Sequence, residues 1–168
     1  MTTRQIVYSA MFIAIVTASV YASQLPIFAS TGGLVHLGNI ALYSIALKYG
    51  KKYGALAGGF GMAIFDILSI WAQWTMGTLV TRFFMGYVIG LISQDKNGQG
   101  SNIIKNLIAI GAGSIVMLTG YYLFESIFLT DFYAALASIP GNLTQLAIGL
   151  VALFIIKKLP VLKEEDML

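Results

Sequence analysis

The feature that most constrains this chain is a series of apolar runs, each about 17–25 residues long, recurring along its whole length. Helices of that length cross a bilayer core of about 30 Å. Charged residues make up only 10% of the chain and hydrophobic ones 58%, whereas a soluble domain is roughly a quarter charged. A soluble globular domain is therefore excluded. The first run follows a single Arg, continues too far for a cleavable leader and ends in no small-residue cleavage site, so it reads as a span. The chain has no Cys, which removes disulfides and thiolate chemistry.

Six spans are expected, in an all-α bundle forming one domain over residues 1–168. Helix 1 is expected over Arg4–Ala22, followed by a loop over Gln24–Leu34 broken by Pro26 and Gly32-Gly33. Helix 2 is short, Val35–Tyr49, and helix 3 covers Tyr53–Ile70. A tight aromatic turn, Trp71–Trp74, leads into helix 4 over Thr75–Ser93. The plainly polar loop is Asp95–Asn102. Helix 5 runs over Ile104–Glu125, a loop or half-helix continues through Asp131, and helix 6 runs from Ile139 or Pro140 to Lys158.

Charge sets the expected orientation. With these spans, Arg4, Lys48, Lys51, Lys52, Lys96, Lys105, Lys157, Lys158 and Lys163 fall in loops on one side, leaving only Arg82 of the 10 basic residues inside a span. Basic loops stay in the cytoplasm, so both termini are predicted there, in a multi-pass protein of the cell membrane.

Small residues recur at spacing four, which lets helix backbones approach in lipid. Gly54 and Gly58 in helix 3, and Gly86 and Gly90 in helix 4, are expected to pack within the chain. Ala10, Ala14, Ala18 and Ala22 cover all of helix 1 and suit a docking surface for another membrane protein.

Polar residues inside a membrane are costly and therefore informative. Asp66 and Arg82 lie about 6 and 10 Å from the outer ends of adjacent helices, at about 1.5 Å per residue. An Asp66–Arg82 ion pair is expected, either locking two helices or meeting a ligand. His36, Asn39, Glu125, Asn142 and Gln145 gather at the same level, with Trp71, Trp74, Tyr121 and Tyr122 close by. Together they outline a polar pocket with aromatic walls, open to the outside and suited to a small flat molecule. Singly, each residue has a plainer role: a cap, a belt anchor or a helix–helix hydrogen bond. No phosphate-binding loop, G-x-S-x-G or H-E-x-x-H motif occurs. One His and no Cys rule out a His/Cys metal cluster. Neither catalysis, a metal nor a cofactor is expected.

Five ordered stretches carry a resemblance: GGLVHLGNI (32–40), YGKKYGALAGGFGMAIFD (49–66), TLVTRFFMGYVIG (78–90), GYYLFE (120–125) and ASIPGNLTQ (137–145). In this order they resemble the substrate-binding S components of energy-coupling factor (ECF) vitamin transporters, nearest the hydroxymethylpyrimidine/pyridoxine branch. The resemblance implies a six-helix subunit that captures a vitamin at the outer side. It implies docking through Ala10, Ala14 and Ala18 onto a transmembrane scaffold subunit that carries two ATPases. It implies a lid formed by Gln24–Leu34. For the pocket it suggests hydroxymethylpyrimidine or pyridoxine, with His36, Asn39, Asp66, Trp74, Arg82, Tyr121, Glu125, Asn142 and Gln145 around the ligand. Pantothenate, its carboxylate on Arg82, and riboflavin are the alternatives within the family. A membrane scaffold subunit that binds no solute is the alternative outside it.

Overall fold

The computed structural model describes residues 1–28, 33–94 and 100–162. The tip of the expected lid, most of the polar loop with Lys96, and the tail with Lys163 lie outside these residues. The helices are α1 (Thr3–Tyr21), α2 (Gly38–Tyr49), α3 (Lys51–Ile67), α4 (Thr75–Ser93), α5 (Ile103–Phe124), α6 (Ile139–Gly149) and a last short turn, α7 (Ala152–Ile155). Among the described residues, four helical segments are long and apolar enough to cross a membrane: Thr3–Tyr21, Ala72–Ser93, Ile103–Leu129 and Ala134–Ile155. The architecture is thus that of an all-α membrane protein. At about 1.5 Å per residue, α2 and α3 rise only about 18 and 26 Å. Neighbouring helices enclose α2, and Leu42, Tyr43, Ala46 and Leu47 on it are fully buried.

Local chemistry sets the boundaries. Thr2 caps α1 in a reciprocal box with Gln5. Asn102 accepts from the Ile104 and Lys105 amides at the start of α5. Gly50 ends α2 with φ +92°, a left-handed conformation that favours glycine, and lets α3 turn back at once. A Cβ on Gly86 would overlap the Gly54 carbonyl, so α3 and α4 meet backbone to backbone. The expected packing of these glycines within the chain is what the structure shows. Thr17 on α1 donates to the Gly61 carbonyl on α3 at 2.7 Å.

The structure departs from the expected elements in three places. The segment before α2 is a two-stranded antiparallel hairpin, β1 (Leu25–Phe28) with β2 (Gly33–Val35), pairing Leu25 with Val35. Helix 2 therefore starts at Gly38 instead of Val35, because the strand takes residues 33–35. After α5 the chain makes a π-helical turn over Glu125–Leu129, closed by the Thr130 amide on the Glu125 carbonyl at 2.8 Å. Helix 6 tightens into i→i+3 hydrogen bonds around Leu150 and Val151, so α6 and α7 are separate.

Candidate functional site

One cavity of about 520 Å³, counted to its open mouth, sits where α2, α4 and α6 begin and α3 and α5 end. Its wall includes eight of the nine expected residues: His36, Asp66, Trp74, Arg82, Tyr121, Glu125, Asn142 and Gln145. Asn39 does not line it; fully buried, it stands behind Arg82.

Arg82 is the organising group. It is 1% exposed. Its Nε donates to the Tyr121 hydroxyl at 3.0 Å, one terminal nitrogen to Asn39 Oδ1 at 2.5 Å, and the other to Gln145 Oε1 at 3.0 Å. The sulfurs of Met85 and Met117 crowd the same guanidinium at 3.6 and 3.1 Å. It also lies over the Tyr121 ring, 5.1 Å from the centroid. One side chain of α4 thus ties down α2, α5 and α6.

The expected Asp66–Arg82 ion pair is not formed. The Arg82 nitrogens go to neutral acceptors. The Tyr121 hydroxyl, which accepts from Arg82, donates to Thr78 Oγ1 at 3.1 Å. Thr78 and Asp66 both line the cavity. The physical reason is reach: the amide and phenol oxygens on three neighbouring helices take up the fork of the guanidinium before a carboxylate at the end of α3 meets it. Asp66 is buried, and its Oδ2 has no hydrogen-bond partner. A buried acceptor without a donor is costly, and this one belongs to a residue of the cavity wall.

His36 shows the opposite polarity. Its Nδ1 accepts from the Gly38 amide at 3.0 Å, so the neutral ring carries its proton on Nε2. Burial, and then the charge of Arg82, push its pKa down to about 3. Gln145 spends its amide on the fold: its oxygen accepts from Arg82 and its nitrogen donates to the Leu34 carbonyl, fastening β2 to α6. The π-helical turn begins at Glu125, which is buried in the wall. Such turns are frequent at functional sites. Asn142 lies in the first turn of α6, whose start is set by Pro140.

The aromatic wall consists of Phe65, Trp71, Trp74 and Tyr121, with Trp74 edge-on to Tyr121 at 6.2 Å. Tyr122 faces elsewhere; its hydroxyl donates to the Phe132 carbonyl at 3.3 Å. The sequence reading missed Phe65, Thr78 and Ser138. Thr78 is four residues before Arg82 and Ser138 four before Asn142, so helical spacing was the signal that places them on the same faces.

On the far side of α1, Ala10, Ala14 and Ala18 are exposed, while Phe12, Val16 and Val20 turn into the bundle.

The family described as ECF-type riboflavin transporter, S component, matches the chain over residues 1–160. An uncharacterised protein of Pyrococcus woesei, from a gap 3′ region, is 31% identical over 106 residues, which cover 63% of this chain and 68% of that protein. The thiamine precursor transporter HmpT of Lactococcus lactis subsp. cremoris (strain MG1363) is 24% identical over 126 residues, covering 75% of this chain and 69% of that protein.

Proposed function

The chain belongs to the family of S components of ECF-type riboflavin transporters, a family of vitamin-binding transporter subunits and not of enzymes, and from that premise we propose that it captures hydroxymethylpyrimidine, or else pyridoxine, in the cavity around Arg82. The observation that carries the choice is the unpartnered Oδ2 of Asp66 in a wall that also holds Glu125. Carboxylates accept hydrogen bonds. An aminopyrimidine brings an exocyclic amine to donate and ring nitrogens to accept, matching Asp66 or Glu125 on one edge and the His36 Nε2–H or Asn142 on another. Trp71, Trp74 and Phe65 supply faces for a flat ring. The similarity to HmpT points the same way.

Pantothenate fits less well. The three guanidinium nitrogens of Arg82 already bond protein acceptors, so a ligand carboxylate would meet Asp66 and Glu125 instead of a free cation. Riboflavin is the second reading, favoured by the family description itself.

In the same reading the chain is a six-span unit over residues 1–168 with both termini in the bacterial cytoplasm, and the cavity faces out. The loop Gln24–Leu34, whose described parts pair as β1 and β2, acts as the lid. The exposed Ala10, Ala14 and Ala18 of α1 dock on a transmembrane scaffold subunit. ATP is hydrolysed by two partner subunits.

Native mass spectrometry of the detergent-purified chain tests the substrate. A co-purified mass of hydroxymethylpyrimidine or pyridoxine is expected. A riboflavin or pantothenate mass would keep the family and overturn the substrate. An empty protein that also ignores all four added vitamins would favour a membrane scaffold subunit without a solute.

A further inference from the structure

A second hollow lies on the side of the bundle, away from the vitamin cavity. It is a groove of about 1,190 Å³ with α2 as its floor, α1 as one wall and the segment around α7 as the other. Its lining is almost wholly apolar, with Met11 and Ile15 from α1, Ile40 and Ile45 from α2, and Ile155 and Leu159 opposite. The hydroxyls of Ser19 and Ser23 near one end are spent on carbonyls of their own helix. The groove follows α2, about 18 Å long at about 1.5 Å per residue.

The other end is basic. The α2 residues in the groove are Leu37, Ile40, Ala41, Ser44, Ile45 and Tyr49, and helical spacing puts Lys48 next on that face. Lys48 is 8% exposed, but its ammonium is not among the buried polar groups that lack a partner, so its stem is buried while the charged end reaches the surface. The Tyr49 hydroxyl donates to the Pro160 carbonyl at 3.2 Å, which brings the exposed Lys157 and Lys158 of the preceding turn to the same end.

We propose that this groove is a site for an anionic phospholipid, with one acyl chain along α2 and the phosphate at Lys48, Lys157 and Lys158. The chain spans a bilayer, so acyl chains already surround the groove; the charge at its end selects among headgroups. Basic residues near a membrane surface favour anionic lipid roughly fivefold each. The proposal does not depend on which vitamin is bound.

The test is native mass spectrometry of the full chain titrated with dioleoyl phosphatidylglycerol or dioleoyl phosphatidylcholine. A single phosphatidylglycerol adduct, retained at least about fivefold better than phosphatidylcholine, is expected. Lys48→Met should remove most of that preference. Met11→Trp and Ile155→Trp, at half-exposed positions of the two walls, should displace both lipids and leave vitamin binding unchanged. Equal retention of the two lipids, or no change with Lys48→Met, would overturn the proposal. So would lipid adducts that survive both tryptophan variants. If those variants instead abolish a dimer, the occupant is a second copy; if they abolish only assembly with a scaffold subunit, it is that partner.

Discussion

The same sequence pattern, small residues four apart, has opposite fates in two parts of this molecule. In α3 and α4 the glycines are consumed inside the chain: Gly54 and Gly86 touch backbone to backbone, and the Arg82 carbonyl and Leu42 leave no room for a Cβ on Gly58. In α1 the alanines stay outside, because Phe12, Val16 and Val20 claim the inward face. Spacing therefore announces a close helix contact without saying whose. What separates the two cases is the face: in α3 and α4 the glycines lie on the inward side, together with Phe65, Met85 and Ile89, and in α1 the alanines lie opposite the buried side chains.

The largest effect should come from breaking the internal contact. Gly86→Leu drives a side chain into the Gly54 carbonyl, and no monodisperse folded protein should be recovered by size-exclusion chromatography. A well-folded Gly86→Leu variant would show that the two helices separate easily. Arg82→Met comes next. It removes three hydrogen bonds from a charged donor, each about 1.5–3 kcal/mol, and leaves Asn39, Gln145 and Tyr121 short of a partner. The thermal midpoint should drop by several degrees or more in a detergent melting assay, and vitamin binding should go with it.

These two variants also mark how far the sequence could be read. Helix 4 was legible to the residue, Thr75–Ser93, because polar or aromatic turns flank an uninterrupted apolar run. The hairpin before α2 was not, since three- and four-residue strands are too short to show a period. The cavity was legible because polar side chains at membrane depth are rare enough to be counted. How they pair was not. Sequence places Asp66 and Arg82 on neighbouring helices, but only the structure shows that Arg82 bonds Tyr121, Asn39 and Gln145 instead.

Asp66→Asn sharpens the contrast between residues that hold the cavity and residues that await a ligand. Its Oδ2 bonds nothing in the protein, so the melting temperature should hold or rise. Binding should weaken by about 1–3 kcal/mol, roughly 5- to 150-fold. A parallel loss of stability and affinity would place Asp66 with Arg82 as a structural residue.

His36 adds a smaller, pH-dependent effect. Burial takes its pKa from the ordinary 6.5 down to about 3 on folding. Between those values the unfolded chain binds the extra proton, so this contribution to stability is complete above about pH 6.5 and fades as pH falls toward 3. His36→Gln should flatten the acid limb of a melting-temperature profile. An unchanged profile would mean that His36 is not neutral in the fold.

The smallest effect on the isolated protein belongs to Ala14→Trp. Its site is exposed on α1, so folding and vitamin binding should match the unsubstituted chain. Co-purification with an ECF scaffold subunit, and uptake in cells, should be lost. Normal uptake would return the alanine stripe to lipid and remove the difference from α3 and α4.

On the proposed function, the cavity around Arg82 holds a small heteroaromatic vitamin. Isothermal titration calorimetry of hydroxymethylpyrimidine into the purified chain tests it most directly. Saturable binding at one site per chain, weakened by Asp66→Asn at unchanged melting temperature, is the predicted result. No heat from hydroxymethylpyrimidine, pyridoxine, riboflavin or pantothenate, in protein shown to be folded, would contradict it.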